Sequence, residues 1–314
     1  MDITWFPPAP TGAPLRDTVL TIGVFDGVHL GHQHLIDATI AQARARAAQA
    51  VVMTFDPHPY TVVRPGSARQ LLISLDQRLA AFTACGVDAT AIVQFAPAVM
   101  ALSAVEFIDA LGVHVTLRAL VVGEDFALGR GREGDPTRLT AIGAERGFDV
   151  IVVERIVRTA TPISSSRIRT ALAEGDVALA STLLGRTFAR SGVVVHGDAR
   201  GRTIGFPTAN LAIAPDLLLP ANGVYACAVW HADTRYQAVA NIGVRPTFDG
   251  AQCRFEVHLL DFAGDLYGDT LRVELCQRLR SEQRFDDIAA LVAQITHDVA
   301  ATGAYFAAHR EEAL

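Results

Sequence analysis

The chain has 314 residues, 50% hydrophobic and 19% charged, a balance that supplies the core of a globular protein and excludes a disordered one. A formal net charge of −6 implies no broad basic surface for nucleic acid, and no uninterrupted apolar run reaches membrane-spanning length. The chain contains no lysine, which excludes a P-loop, a protein-kinase site and Schiff-base catalysis and leaves phosphate chemistry to arginine, histidine, backbone N–H groups and a metal ion.

The length favours two domains over one. Residues 1–10 lack the basic and apolar regions of a secretory leader. The cysteines (Cys85, Cys227, Cys253, Cys276) are scattered without a CxxC pair, so buried thiols in a reducing, cytoplasmic compartment are expected. Weak self-association is left open.

In chain order, the proline-rich residues 1–16 read as a loosely ordered lead-in. An apolar strand through Val19, Leu20, Ile22 and Val24 follows, then a turn bracketed by Gly23 and Gly27. His29-Leu30-Gly31-His32 opens a helix through Leu35, Ile36 and Ile40 into the alanine-rich residues 41–50. Residues three apart share a helix face, so His29 and His32 sit side by side at a helix N-terminus, where free N–H groups and the helix dipole suit phosphate. Two histidines there can donate hydrogen bonds to charge developing in a transition state, and Gly31 removes a side chain that would stand between them and the ligand.

This strand–turn–helix with HxGH resembles the nucleotidylyltransferase superfamily, whose members attack the α-phosphate of ATP and release pyrophosphate. The longer form GVFDGVHLGH is far more specific than HxGH alone.

Further strands are predicted over 50–55, 89–94, 119–122 and 148–153, and helices over 76–85 and 103–111, the latter with a Ser103/Glu106 capping box. The alternation predicts a doubly wound parallel α/β sheet. Asp56-Pro57-His58-Pro59 ends one strand; it is either an ordinary turn or part of the ligand rim at the strands' carboxyl ends. The glycine- and arginine-rich residues 129–134 are either an exposed loop or a phosphate contact. In PISSSRIR, three serines and two arginines exceed what capping needs, and they suit a grip on the β- and γ-phosphates. The superfamily's I-S-S-T/S-x-I-R element does that job, and Ser165, Ser166 and Arg169 match it.

A helical connector over 177–184 precedes a change of character at Gly185-Arg186. Short β-rich segments over 191–196, 223–230, 236–242, 254–260 and 270–275 predict a small antiparallel barrel or sandwich, closed by an amphipathic helix over 284–301 (Ile288, Leu291, Val292, Ile295, Val299). Thr208 and Asn210 alternate on an extended segment after a glycine- and arginine-rich loop; they are either part of a turn or hard oxygen ligands for magnesium on ATP. Glu256, with Phe255, Val257 and Leu259 on the opposite face, is either a solvated strand residue or a general base.

Taken together, GVFDGVHLGH, TFDPHP, VVGEDF, ISSSRIR, GRTIGFPTANL, NIGVRPTF and EVHLLDF resemble the prokaryotic bifunctional riboflavin kinase/FMN adenylyltransferase family, also called FAD synthetase, over nearly the whole chain. The resemblance implies an adenylyltransferase module over 1–184 that converts FMN to FAD. It implies a riboflavin kinase module over 185–314, a barrel of about six strands with a C-terminal helix, that phosphorylates riboflavin. Mg²⁺ and ATP are implied at both. The implied residues are His29 and His32 at the α-phosphate; Gly23, Phe25, Asp26, Gly27 and Gly31 around the nucleotide; Ser165, Ser166 and Arg169 on its phosphates; and Phe55, Pro57 and Phe126 at the flavin. In the kinase they are Gly201, Arg202, Gly205 and Pro207 around ATP, Thr208 and Asn210 on Mg²⁺-ATP, and Glu256 as base.

Three departures stand out. Ala127 and Leu128 replace the Arg and Phe that commonly follow VVGxDF, Ser166 replaces a threonine, and Thr187 stands where proline often follows LGR. The first opens an alternative, a kinase with a weak or regulatory adenylyl module. A non-catalytic flavin- or nucleotide-binding regulator is opposed by the presence of a base. A nicotinamide or pantetheine adenylyltransferase leaves the second domain unexplained.

Overall fold

The computed structural model describes residues 1–6, 15–64, 70–158, 161–197, 200–247 and 250–309, the side chains at 200, 244–247 and 250–253 excepted. The chain divides into two compact units, Met1–Ser165 and Ser166–Leu314.

The first unit is built on strands β1 (Ile3–Phe6), β2 (Leu15–Ile22), β3 (Gln49–Asp56), β4 (Ala89–Gln94), β5 (Val115–Gly123) and β6 (Asp149–Val153), in the order β1-β4-β3-β2-β5-β6. Strands β2 to β6 pair in parallel. Their middles are continuous apolar runs with no exposure (Val19, Leu20, Val51, Val52, Ala119, Leu120), as a sheet covered on both faces requires. Helices α1 (Leu30–Ala45), α2 (Pro59–Val63), α3 (Leu75–Cys85), α4 (Pro97–Met100), α5 (Ala104–Gly112) and α6 (Pro136–Arg146) connect them. Ile36 of α1 and Phe82 of α3 pack on one face, while Phe107 and Leu111 of α5 and Leu139 of α6 pack on the other. A two-stranded ribbon, β7 (Val157–Arg158) with β8 (Thr161–Pro162), leads out of β6.

The structure corrects the sequence reading in three places here. Residues 3–6 of the expected loose lead-in form β1, antiparallel to β4, with Ile3 and Trp5 packed on the core and Thr4 and Phe6 exposed. Four alternating residues suffice for an edge strand that satisfies the open backbone of β4; residues 7–14 lie outside the described ones. Helix α1 stops at Ala45 instead of running through residue 50, because the chain reverses at Ala47 (φ +51) and Gln49 already begins β3. Helix α6 went unpredicted although Asp135 caps it, Pro136 opens it and Gly147 (φ +81) ends it.

The second unit begins in α7 (Ser165–Glu174), which starts at the serines rather than after them, and α8 (Val177–Leu184). Six antiparallel strands, β9 (Phe188–Val195), β10 (Ala209–Ala212), β11 (Gly223–His231), β12 (Thr234–Thr247), β13 (Gly250–Leu259) and β14 (Thr270–Arg280), close a barrel in the order β10-β13-β12-β11-β14-β9. A one-turn helix, α9 (Arg200–Thr203), precedes β10, and α10 (Ile288–Ala308) follows the barrel. Strand β11 is buried on both faces through Val229, as its unbroken GVYACAV run demands. Cys227 is buried, Cys85 and Cys276 are half-buried, and all three are free thiols; the side chain of Cys253 lies outside the described ones. Burial pushes the Cys276 thiol up to about 11, which keeps it protonated and unreactive.

The closing helix is displaced from its predicted span of 284–301. The Asp287 carboxylate accepts from Ala290 N at 2.7 Å and fixes the start at Ile288, which is itself 67% exposed. Leu291, Val292, Ile295 and Val299 are half-buried, and the buried row is Asp298, Thr302 and Phe306. Asp298, 3% exposed, receives three hydrogen bonds from the Arg280 guanidinium at 2.8–3.1 Å and one from Gln294 at 2.9 Å. Removing one partner of such a pair strands the other. Asp298→Ala should therefore lower the unfolding free energy of the second unit by about 3–5 kcal/mol, read from urea titrations of Trp230 fluorescence in a Trp5→Phe background, with Asp298→Leu/Arg280→Met recovering much of the loss.

Candidate active sites

Strand β2 has β3 on one side and β5 on the other, so the chain switches direction across the sheet at β2, and the crevice beyond its carboxyl end is where an open α/β sheet binds ligand. The turn leaving β2 occupies that point. Phe25 (φ +54), Gly27 (φ +92) and Val28 (φ +38) all adopt left-handed backbone conformations, a cost of about 1–2 kcal/mol for each non-glycine residue that persists only where the surroundings enforce it. Two groups do so. The Asp26 carboxylate, 4% exposed, accepts from Leu72 N at 2.9 Å and Ile73 N at 3.3 Å. The Arg78 guanidinium, 3% exposed, donates to Val24 O at 2.7 Å, Thr54 Oγ1 at 2.9 Å and Phe55 O at 3.3 Å. Gly23 has no Cβ to strike the Phe25 ring, which lies 3.0 Å from where one would be.

The turn delivers His29 to the N-cap of α1, where its Nδ1 accepts from His32 N at 3.2 Å. A neutral His29 therefore carries its proton on Nε2. The two imidazoles stack with centroids 3.6 Å apart at 15°, and the Phe25 ring meets His32 edge-on at 5.2 Å. A Cβ on Gly31 would stand 3.2 Å from the His29 ring, so glycine leaves that ring its place. His32 Nδ1 is buried with no hydrogen-bond partner among the described residues. Burial, then the adjacent His29 and Arg78, hold His32 well below the ordinary imidazole value. Ser165 joins the turn, its Oγ donating to Asp26 O at 2.8 Å. Ser166 is exposed and Arg169 half-buried on α7, in the second unit.

A cavity of about 740 Å³ opens beside His32 at the carboxyl ends of the strands. Its walls are mostly apolar and aromatic: Phe25, Phe55, Phe95 and Phe126, with Ala127 and Leu128 from the loop after β5. Pro57, one residue beyond β3, is not among its lining residues.

In the barrel, the register sets Asn210 of β10 opposite Glu256 of β13, and Glu256 opposite Asn241 of β12. Directly paired residues share a face, so these three side chains form a row across three strands. The row is on the outside, since Phe255, Val257 and Leu259 fill the interior. The Glu256 side chain is only 13% exposed and is ion-paired with Arg254. Gly197 passes so close to Asn210 that a Cβ there would overlap its amide. Arg202, Pro207 and Thr208 line a second cavity of about 340 Å³ beside Val257, Leu259, Phe262 and Tyr267. His258 Nδ1 donates to Pro207 O at 2.7 Å and fixes the approach to β10. Gly201 nests against Phe206, whose N donates to Gly201 O at 2.8 Å, and Gly205 (φ +88) takes the turn that only glycine makes freely. Asp198, Ala199 and Phe248 lie outside the described residues, as do the side chains of Arg245, Pro246 and Thr247.

Three contributors are absent from the sequence reading, Arg78, Asn241 and Arg254, while the cavity-lining Arg132 lies in the 129–134 loop, expected to be either an exposed loop or a phosphate contact. An arginine between apolar positions of α3 was a detectable signal for Arg78. The others depend on strand register or loop path.

Comparisons with known proteins match two successive stretches of the chain to two family models. A family model for FAD synthetase matches residues 12–167, and one for riboflavin kinase matches residues 184–306. The bifunctional riboflavin kinase/FMN adenylyltransferase of Escherichia coli strain K12 is 44% identical over 288 residues, 91% of this chain and 92% of that one. Its namesake from Bacillus subtilis strain 168 is 37% identical over 92% of each chain. A crystal structure described as a macrolide-efflux protein from Streptococcus pneumoniae superposes with a TM-score of 0.85 at 34% identity, over 93% of this chain and 95% of that one. Among the described residues of the present chain, no helix is long and apolar enough to cross a membrane. With a parallel α/β sheet ending in HxGH, a closed six-stranded barrel and these relatives over nine-tenths of its length, the chain belongs to the bifunctional riboflavin kinase/FMN adenylyltransferase family.

Proposed function

We propose that the two reactions of this enzyme run on separate sets of side chains, one at the β2–α1 turn and one on the outer face of the barrel. The observation that carries the first assignment is the stacked His29–His32 pair, in which His32 lines a flavin-sized apolar cavity and its buried Nδ1 has no partner among the described residues. FMN would lay its ring against Phe55 and Phe126, with Pro57 close to the entrance. Its phosphate oxygen attacks the α-phosphorus of ATP and pyrophosphate departs. His29 Nε2–H and His32 donate to the oxygens that gain charge. Gly23, Phe25, Asp26, Gly27 and Gly31 hold the turn in shape around the nucleotide, while Ser165, Ser166 and Arg169 receive the leaving phosphates. The functional boundary is drawn at 184/185, in keeping with the riboflavin kinase match that begins at residue 184, even though α7 and α8 pack with the second unit.

In the kinase module, Glu256 takes the proton from the ribityl 5′-hydroxyl of riboflavin as that oxygen attacks the γ-phosphorus of ATP. Gly201, Arg202, Gly205 and Pro207 shape the phosphate loop. Thr208 and Asn210 fit a magnesium ion that shares its ligands with ATP: both offer hard oxygens, and strand register sets Asn210 opposite Glu256. A threonine hydroxyl and an amide carbonyl suit a cation brought in with the nucleotide. Bound there, Mg²⁺ would offset phosphate charge. A cytoplasmic setting, with no nucleic-acid or membrane partner, is consistent with the charge and hydropathy of the chain.

A second reading, a kinase with a slowed adenylyl module, is favoured by Ala127 and Leu128, which line the cavity where the family commonly carries Arg and Phe.

Glu256→Gln should lower riboflavin phosphorylation by about 10²–10⁴-fold and leave FMN adenylylation within about twofold, while His29→Ala should cost FAD formation about 10²–10³-fold and spare phosphorylation. Chromatographic separation of the three flavins reads both, and loss of both activities from either substitution in a folded protein would break the two-site assignment. A further outcome concerns pH. Because folding holds His32 below its unfolded pKa of about 6.5, the native chain binds fewer protons than the unfolded one in acid. The stability of the first unit should be complete above that pH and decline below it, and His32→Gln should flatten the decline in thermal melts.

A further inference from the structure

We infer that Arg132 reads the phosphate of FMN in the cavity beside His32, and so sets the preference for FMN over unphosphorylated flavins at the adenylylation step. The inference rests on the proposal that the flavin occupies this cavity.

FMN joins a flat apolar ring system to one phosphate dianion. The cavity answers the first part with aromatic walls, but a dianion brought among such walls needs a compensating charge. The chain has no lysine, and Arg132 is the one arginine among the described residues lining the cavity. The two other polar side chains there are unsuited to the task. Burial keeps His32 neutral, and Asp125 is an anion, its charge offset by Arg155 at 2.8 Å.

The loop presents Arg132 in a defined way. Leu128 and Gly134 close its neck with paired backbone hydrogen bonds of 3.1 and 2.9 Å. Glu133 accepts from Ala104 N at 2.8 Å, docking the loop on the first turn of α5. Gly129 lies so close to that turn that a Cβ would sit 2.6 Å from Ala104 N. Between these anchors, Gly131 (φ +66) and Arg132 (φ +62) both adopt left-handed backbone conformations, which an arginine rarely does. The result is a guanidinium turned back toward the end of β5, where Nη2 donates to Asp125 O at 3.0 Å. That bond uses one of five N–H groups, and the fork geometry of the others matches phosphate oxygens. Flavins that lack the phosphate offer this fork no charge.

The test uses the full-length chain with saturating MgATP. In Arg132→Gln, the KM for FMN in adenylylation should rise about 10- to 100-fold, the range of one or two charge-assisted bonds. KM for ATP and the riboflavin kinase rate should stay within about twofold, and Arg132→Lys should recover part of the loss. Lumiflavin, the ring without its ribityl phosphate, serves as a competitor against FMN, and its inhibition constant should be the same in wild type and Arg132→Gln. An unchanged KM for FMN, or a parallel weakening of lumiflavin, would overturn the phosphate role. Ala127→Trp, which fills the cavity, separates this from the underlying reading. If it leaves the KM for FMN untouched in a protein with wild-type melting behaviour, the flavin does not sit in this cavity. If it weakens FMN while Arg132→Gln does not, the cavity stands and Arg132 alone is dismissed.

Discussion

The first unit depends on how two buried charged groups hold one turn. Asp26 and Arg78 are each almost inaccessible, and each is satisfied mainly by backbone: Asp26 by the amides of Leu72 and Ile73, Arg78 by the carbonyls of Val24 and Phe55. Burial of ionised groups costs several kcal/mol unless every polar contact is met. Meeting them leaves the chain between β2 and α1 a single path. The left-handed conformations at Phe25 and Val28 follow from that path. So does the arrival of His29 at the N-cap rather than one residue later. Without the pinned turn, the histidine pair would be two side chains on a helix; with it, they stack, and His32 lines the cavity.

The barrel reaches a comparable result by a different route. Strand register fixes the Asn210–Glu256–Asn241 row. Because side chains alternate faces along a strand, a one-residue slip would send Glu256 inward and Val257 outward. The apolar interior of Phe255, Val257 and Leu259 resists such a slip, so the hydrophobic core of the barrel also positions its polar outer face. The ion pair with Arg254 then holds Glu256 in place.

Much of this was legible in the sequence where the determinants are local. His29 and His32 lie three residues apart on one helix, and the Ser103/Glu106 capping box and the boundaries of β4 and α8 are written in neighbouring residues. What stayed hidden is long-range. Asp26 meets residues 46 and 47 positions away, Arg78 meets Thr54 across 24, and Asn241 meets Glu256 only through strand pairing. The edge strand β1 was hidden because four alternating residues beside prolines carry little signal until a partner edge is present. The closing helix was misplaced because its apolar stripe is not its most buried face; that face is organised around the Asp298–Arg280 pair. Arg132 lies in a loop whose composition points to phosphate without saying which arginine lines the cavity.

Two sites on one chain should act in sequence on a single flavin. The most direct measurement is a time course of the wild-type protein with riboflavin and MgATP, quantifying riboflavin, FMN and FAD. Riboflavin should fall, FMN should rise and then decline, and FAD should accumulate. FMN that accumulates with no FAD, in a protein whose two units are both folded, would contradict this.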